Sequence, residues 1–218
     1  MTKYKLVCFD LDGTLIDNLK FSWQLFHDYF QTDQHRREDA KNKFFNKKIT
    51  YAEWAEHDIG MWKEKNAKKE DFFKALEGLK LMEGALDTLR ELKQSGAKLA
   101  ILSGSLNVLL EKFIPNYEDF FDDVFISRIY FDGNGFISEI EATEFDIDAK
   151  ALALKQIAER EGIPLEECAF VGDYTNDIKV MQEAGLGIAF NCKNEEVMKA
   201  ADVVIEKKDL REILSLIL

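Results

Sequence analysis

Short apolar runs recur along the chain, and segments with helical hydrophobic periodicity separate most of them. Residues 6–9 read Leu-Val-Cys-Phe, and similar runs occupy residues 98–102 and 168–171. Runs of this length without polar alternation are typical of strands that are buried on both faces of a parallel sheet. Two further runs, at 187–190 and 203–205, extend the pattern. The hydrophobic positions therefore predict an α/β protein.

Residues 18–79 interrupt this alternation, because they contain no convincing strand pattern and no proline. Helical spacing of aromatic residues predicts a first helix at about 21–30. Thr50, followed by Glu53, has the form of a capping box and predicts the start of a second helix, and a third begins near Asp71. We therefore expect a core domain of residues 1–17 and 80–218, interrupted by a helical cap domain of residues 18–79.

The chain after residue 80 returns to alternating helices and strands. Predicted helices cover 85–95, which Gly96 closes, then a stretch through Phe113, and later a stretch from Asp148 to Gly162. The sequence Asp-Gly-Asn-Gly at 132–135 predicts a hairpin turn between strands at 128–131 and 136–140. A closing helix is expected at 210–218.

Composition narrows the class of protein. The 218 residues carry a formal net charge of -12, which argues against a nucleic-acid partner because a polyanion would be repelled. No apolar run has the length of a membrane span, and the start of the chain leaves no room for a signal peptide. Three scattered cysteines do not suggest a disulfide framework or a zinc site. These features predict a cytoplasmic protein, and they leave its oligomeric state open.

Polar residues follow the predicted strands at the points where the apolar runs end. Asp10 and Asp12 follow the first run, Ser103-Gly104 the second, and Gly172-Asp173 the third. The carboxyl ends of parallel strands meet at one edge of a sheet, where ligands bind in open α/β folds. Lys150 lies at the start of a predicted helix, where a cation is better tolerated if an anion faces it. Carboxylates that crowd together repel each other, and a divalent cation would compensate their charge. Acids, a hydroxyl and a lysine together are the groups that phosphoryl transfer at such a cation requires.

Four segments carry a resemblance to a known family. The sequences DLDGT at 10–14, LSGS at 102–105, Lys150, and GDYTND at 172–177 resemble, in order, the motifs of the haloacid dehalogenase superfamily. The phosphoserine phosphatase-like branch, which has a helical cap, is the most similar. The resemblance implies a Rossmann-like, doubly wound parallel sheet and a phosphatase that acts on a small phosphorylated metabolite.

The resemblance also implies roles for the motif residues in phosphoryl transfer. Asp10 would be the nucleophile that forms an aspartyl-phosphate, and Asp12 the general acid and then the general base. Ser103, the amide of Gly104 and Lys150 would hold the phosphoryl group. Taken singly, Ser103 would be interpreted as a turn residue and Lys150 as a solvated helix residue, so their combination is what supports these roles.

The same resemblance implies a Mg²⁺ site. Asp10, the backbone carbonyl of Asp12 and Asp173 would bind the ion. Asn176 and Asp177 would lie outside this set and orient Lys150 or the waters on the metal, although Asp177 alone would be interpreted as a helix N-cap.

The chain departs from the branch where the branch recognises phosphoserine. Leu19 stands at the position of the glutamate that meets the substrate amine, and residues 55–58 read Ala-Glu-His-Asp where the carboxylate-binding arginine belongs. The only arginines of the helical segment are Arg36 and Arg37. We therefore expect phosphoserine not to be the best substrate, with a phosphoserine phosphatase as the alternative.

Three residues of the helical segment are candidates for substrate specificity. Trp54, Asp58 and Trp62 would form an aromatic pocket with one acid, which suits a cationic or apolar phosphoester. The competing interpretation makes the tryptophans part of the helical core and Asp58 a solvated acid.

Two other classes of protein remain possible. A phospho-acceptor receiver module also gathers acids, a hydroxyl and a lysine at a sheet edge, but it lacks the paired acid after the first strand and the inserted cap. A binding homologue without catalysis is disfavoured because no motif residue is missing. Turnover of a generic aryl phosphate with Mg²⁺ would separate the receiver from a phosphatase.

Overall fold

The computed structural model describes residues 3–143 and 149–218. Within these ranges the strands are β1 (Leu6–Phe9), β2 (Ile16–Asp17), β3 (Lys80–Leu81), β4 (Lys98–Leu106), β5 (Asp123–Phe131), β6 (Ile137–Glu141), β7 (Cys168–Gly172), β8 (Leu186–Phe190) and β9 (Val203–Ile205). Seven of them form one sheet in the order β6-β5-β4-β1-β7-β8-β9. All neighbours in this sheet are parallel except β5 and β6, which form the predicted hairpin.

Helices pack on the sheet and fill the segments between its strands. In the described ranges they are α1 (Ser22–Tyr29), α2 (Gln34–Phe45), α3 (Tyr51–Glu64), α4 (Lys69–Ala75), α5 (Ala85–Gln94), α6 (Asn107–Phe113), α7 (Ala149–Glu161), α8 (Ile178–Glu183), α9 (Glu195–Ala200) and α10 (Leu214–Ile217). Short 3₁₀ turns occupy Tyr117–Asp119, Leu165–Glu167, Thr175–Asp177 and Leu210–Ile213. No helix of the described residues has the length and apolar character needed to cross a bilayer.

The central strand β1 explains why its sequence is apolar at every position. Its side chains alternate between two buried clusters, with Val7 and Phe9 in one and Leu6 and Cys8 in the other. The first cluster contains side chains from α5, α6 and α10, and the second from α7, α8 and α9. A strand that is covered on both faces must be apolar throughout. The predicted doubly wound, Rossmann-like α/β fold is confirmed.

The segment between β2 and β3 is helical, as expected. The two strands pair antiparallel, with Asp17 opposite Lys80, so they bring the two ends of the segment together. Thr50 caps α3 through the predicted capping box with Glu53. Helix α2 was not predicted, because Ala40 is its only buried residue and it has no apolar stripe. The buried cluster on one face of the sheet continues into these helices through Phe26, Trp62 and other residues.

Two predicted boundaries are wrong, and one falls outside the described residues. Strand β4 continues through Ser103, Gly104 and Ser105 to Leu106, with an irregularity in its pairing to β5, instead of ending at residue 102. The strand predicted at 128–131 begins five residues earlier, because β5 runs from Asp123 to Phe131. The predicted helix start at Asp148 lies outside the described residues, and α7 is described from Ala149.

Candidate active site

A buried ion-pair cluster lies at the carboxyl end of β1. The backbone N–H of Asp10 donates to the carbonyl of Val171 at 2.9 Å, which fixes the start of the loop after β1 against β7. Lys150 is 1% exposed, and its Nζ lies 2.9 Å from Oδ1 of Asp10 and 2.6 Å from Oδ1 of Asp177. Burial alone would lower the pKa of Lys150, but the charges of Asp10 and Asp177 raise it above its ordinary value. The amine is therefore a permanent cation beside Asp10.

Asp177 holds this cluster and the loop after β7 together. Its Oδ1 accepts from Lys150, while its Oδ2 accepts from the backbone N–H groups of Asp173 and Tyr174, each at 3.0 Å. Burial raises the pKa of Asp177 to about 6, against the opposing charge of Lys150. Both oxygens of this carboxylate are thus occupied by protein donors.

Three carboxylates meet in a group with the spacing of a metal site. Ligand oxygens of Asp10, Asp173 and Asp177 all lie within 4.8 Å of one another. Burial and then the negative charges of Asp10 and Asp177 raise the pKa of Asp173 to about 8. Gly13 makes room for this group, since a Cβ there would lie 2.3 Å from Oδ2 of Asp173, and its φ of +79° also favours glycine. An all-oxygen set that is crowded and buried in this way fits a hard divalent cation.

The side chain of Asp12 lies outside this group of three carboxylates and is held by two serines. Its Oδ1 accepts from the hydroxyl of Ser105 at 2.7 Å, and its Oδ2 accepts from the backbone N–H of Ser22 at 2.6 Å. The two serine hydroxyls lie 2.9 Å apart. Burial and the neighbouring Asp10 raise the pKa of Asp12 to about 6, although these hydrogen bonds act in the opposite direction. A carboxyl group with a pKa in this range can exchange a proton near neutral pH.

Ser103 and Gly104 border the same cavity as Asp10 and Asp12. Ser103 is 2% exposed, and its hydroxyl accepts from the backbone N–H of Ser105 at 3.3 Å. The carbonyl of Gly104 accepts from Nε1 of Trp23 in α1 at 2.9 Å. The helical segment is thereby joined directly to the loop-like end of β4. Asn176 also borders the cavity, and its buried Oδ1 has no hydrogen-bond partner among the described residues.

The cavity, of about 760 Å³, extends from this sheet edge to a wall formed by α1, α2 and α3. Helix α2 contributes one face, on which four polar residues recur at helical spacing: Gln34, Arg37, Glu38 and Lys41. Trp54, Ala55 and Asp58 of α3 complete the wall, with Tyr51 and Phe45. We call this surface the helical wall.

The structure divides the three specificity candidates. Trp54 borders the cavity, where its ring stacks on Phe44 at 5.0 Å between centroids. Trp62 does not border the cavity, because it is fully buried and packs against Phe26 and Phe72. Asp58 borders the cavity but is only 2% exposed, so it is not a solvated acid either.

Arg37 of α2 reaches the cavity, although residues 55–58 contain no arginine. Its side chain borders the cavity, donates from Nη1 to Oε1 of Gln24, and has Nε 3.8 Å from Oδ2 of Asp58. The neighbouring Arg36 points elsewhere and pairs with Glu64 at 2.7 Å. The negative charge of Asp58 is therefore opposed by Arg37, and it does not stand alone against a substrate carboxylate.

Several other residues of the site were not predicted. The face of α2 consists of Gln, Arg, Glu and Lys, a composition typical of a solvent-exposed helix surface, so its spacing gave no warning of a binding wall. Ser22 and Trp23 contact the motif residues only through the tertiary fold. Ser105 was part of a recognised motif, and its place two residues after Ser103 on the same strand was the one available signal.

Comparison with known proteins identifies the class to which this geometry belongs. A family model described as haloacid dehalogenase-like hydrolase matches residues 4–185. The chain therefore belongs to the haloacid dehalogenase-like hydrolase family. The predictions of this superfamily and of an enzyme are confirmed, whereas a receiver module has no support.

Similarity to individual proteins extends over the whole chain. A phosphoserine phosphatase of Methanocaldococcus jannaschii is 31% identical over 218 residues, which is 99% of this chain and 98% of the relative. A phosphoserine phosphatase of Archaeoglobus fulgidus is 35% identical over 140 residues, 64% of this chain and 40% of that protein. A solved structure described as a substrate-bound phosphoserine phosphatase complex is 30% identical, with a TM-score of 0.75 and 99% coverage of both chains. These similarities confirm a phosphatase of the phosphoserine phosphatase-like branch.

Proposed function

We propose that the protein is a Mg²⁺-dependent phosphomonoester hydrolase whose substrate is phosphoserine. The observation that carries the choice of substrate is Arg37 on the helical wall, in the same cavity as Asp10 and Ser103. A guanidinium group binds a carboxylate through paired hydrogen bonds, which is the recognition that the substrate requires. The full-length similarity to a phosphoserine phosphatase supports the same choice.

Covalent transfer to Asp10 is the first chemical step of the proposal. A carboxylate oxygen of Asp10 attacks phosphorus, and the bond from phosphorus to the serine oxygen breaks. Asp12, held by Ser105 and the backbone of Ser22, donates its proton to the departing oxygen. Water then attacks the aspartyl-phosphate and gives a proton to Asp12, which releases phosphate and restores Asp10.

The remaining motif residues would bind the phosphoryl oxygens and the metal ion during both steps. The hydroxyl of Ser103, the amide of Gly104 and the amine of Lys150 are assigned to the phosphoryl oxygens. Asp10, Asp173 and the carbonyl of Asp12 would hold Mg²⁺, which when bound supplies charge neutralisation for phosphoryl transfer.

Two outer positions complete the assignment around the metal and Lys150. Asp177 is assigned to orienting Lys150, since both of its oxygens already accept from protein donors. Asn176 is assigned to the metal waters.

The helical wall would recognise the amino-acid part of the substrate. Arg37 is assigned to the carboxylate and Glu38, the acid beside it on the same face of α2, to the ammonium group. Leu19 is 5% exposed and apolar, so it offers the ammonium nothing. On this assignment residues 18–79 form the cap domain that selects the substrate, and residues 1–17 with 80–218 form the core domain that performs the chemistry.

Two nearly isosteric substrates test the assignment of Arg37. Phosphoethanolamine is phosphoserine without its carboxylate, so only phosphoserine should depend on the arginine. We expect Arg37→Gln to lower kcat/KM for phosphoserine by about 10- to 100-fold, the effect of losing a charged hydrogen bond, and to leave phosphoethanolamine nearly unchanged. Steady-state kinetics with both substrates gives this comparison.

The neighbouring arginine provides a matched control. Arg36→Gln removes the same charge from the next residue, whose side chain pairs with Glu64 on the surface, and should change neither substrate. The proposal is wrong if the unmodified enzyme does not prefer phosphoserine to phosphoethanolamine, or if Arg37→Gln lowers both equally.

A further inference from the structure

A buried polar cluster extends inward from the helical wall, between α1 and α3. It comprises Asp58 and His27, which are 2% and 0% exposed, together with Thr32. None of these residues is a motif residue, and the proposed chemistry does not use them. A carboxylate that is withdrawn from water needs a compensating charge nearby, or it strongly destabilises the fold.

His27 does not supply that charge. Burial lowers the pKa of His27 despite the neighbouring Asp58, so the ring is neutral at physiological pH. Its Nδ1 lies 2.6 Å from the hydroxyl of Thr32, and its Nε2 lies 3.1 Å from Oδ2 of Asp58. The carboxylate beside Nε2 favours the tautomer that carries the hydrogen on this nitrogen, although the two groups do not form a regular hydrogen bond. The neutral ring therefore lies against the carboxylate without neutralising it.

Arg37 is the permanent cation beside Asp58. Its Nε lies 3.8 Å from Oδ2 of Asp58, and its Nη1 donates to Gln24. His57 approaches the other oxygen at 3.5 Å, but its side chain is 32% exposed and lies at the surface. The guanidinium group is thus held by one hydrogen bond, to Gln24, and by an ion pair with Asp58 in which Nε makes no hydrogen bond. Its Nη2 has no hydrogen-bond partner within residues 3–143 and 149–218, so it remains available to a ligand in the cavity.

We propose that Asp58 is a positioning residue that orients Arg37 toward the substrate carboxylate. The inference rests on the proposed function, because it requires that Arg37 contacts the substrate. It assigns Asp58 an effect on carboxylate binding that passes entirely through Arg37, with the neutral ring of His27 lying against the carboxylate of Asp58.

Asp58→Asn tests this, because the amide keeps the size of the carboxylate and removes its charge. We expect KM for phosphoserine to rise about 10-fold, with kcat within about twofold and phosphoethanolamine unchanged, as for a coupled pair of neighbouring residues. The ratio of kcat/KM for the two substrates is the main readout, since it does not depend on how much of the variant is folded. Glu56→Gln, which removes an exposed charge from the same helix, is the matched control and should leave the ratio unchanged.

The double variant shows whether Asp58 acts through Arg37. In an Arg37→Gln background, Asp58→Asn should produce no further change in the substrate ratio. The positioning role would be overturned if the effects of the two substitutions on the substrate ratio multiplied in the double variant. An equal loss of kcat/KM for both substrates in Asp58→Asn would also overturn it. If Arg37→Gln loses the preference for phosphoserine but Asp58→Asn keeps it, only the positioning role of Asp58 is overturned. If Arg37→Gln keeps the preference, the assignment of Arg37 is overturned, and the positioning role falls with it.

Discussion

The sheet edge and the helical wall, which face each other across the cavity, hold their polar side chains in different ways. At the sheet edge short acids follow buried strands, and backbone N–H groups or buried partners fix most of their oxygens, as they do for Asp12 and Asp177. On the helical wall longer side chains project from α2, and the guanidinium group of Arg37 has two side-chain partners among the described residues, Gln24 and Asp58.

This difference separates two tasks. Groups that touch the reacting phosphoryl group need geometry that does not vary, and rigid strand ends provide it. Groups that recognise the leaving group need only a suitable charge at a suitable place, and a side chain on a helix face can supply this from more than one position. A change at the sheet edge should therefore reduce every reaction, and a change on the helical wall should alter the order of substrates.

Asp10→Asn should have the largest effect and should treat all substrates alike. The amide keeps the shape of the carboxylate but is not a nucleophile, so we expect kcat to fall at least about 10³-fold. Kinetics with phosphoserine, phosphoethanolamine and an aryl phosphate should give the same factor. Near-normal turnover would contradict the covalent mechanism, and a factor that varied with substrate would break the separation of tasks.

Metal binding should stabilise the sheet edge in a way that depends on pH. The pKa values of Asp173 and Asp177 are raised to about 8 and about 6 from a reference of 3.8. In metal-free protein their contribution to stability is complete below about pH 4 and is lost as the pH rises through 6 to 8. Mg²⁺ competes with the proton on its proposed ligand Asp173, so the rise in Tm on adding Mg²⁺ should grow between pH 5 and pH 8.

Thermal unfolding in EDTA and in excess Mg²⁺ measures this difference. At 100 times Kd, binding stabilises the fold by about 2.7 kcal/mol. Asp173→Asn is the control, since it removes a proposed ligand and should abolish most of the response. A Tm difference that stays constant across this pH range, or that survives in Asp173→Asn, would argue against the metal assignment.

The smallest predicted effect concerns the bond that joins the two regions. Trp23→Phe removes the hydrogen bond to the carbonyl of Gly104, so kcat should fall about 2- to 10-fold for phosphoserine and phosphoethanolamine alike. Trp62→Phe is a matched control, because Nε1 of Trp62 has no hydrogen-bond partner in the described part of the chain. It should lower Tm through lost packing and leave kcat unchanged. An equal loss of kcat in both variants would remove the special role of this bond.

The sheet edge was predictable from sequence because its polar residues lie in short contiguous segments. Asp10, Asp12 and Gly13 adjoin one apolar run, and the end of a buried strand is recognisable without knowledge of its neighbours. The continuation of β4 through Ser103 to Leu106 was not predictable, since Ser-Gly-Ser is typical of a turn and only the pairing with β5 keeps it extended.

The helical wall could not be predicted from the sequence in the same way. Arg37 and Asp58 are 21 positions apart in the sequence and belong to different helices, and nothing local indicates that they meet. Comparison of single positions with a relative also misleads here, because the arginine that borders the cavity comes from α2 and not from the segment at 55–58. The function of a charged residue on a helix surface can be inferred only when the surface that the helix faces is known.

The position of β1 has a consequence for local unfolding and hydrogen exchange. This strand pairs with β4 on one side and β7 on the other, and both of its faces are covered. Its amide hydrogens can reach solvent only when the whole sheet opens, whereas helix α2, with one buried residue, can fray in isolation. Hydrogen exchange should therefore be slowest immediately before Asp10 and fast along α2. The proposed nucleophile therefore follows the strand that should exchange most slowly, and the helix proposed to select the substrate should be among the fastest to exchange.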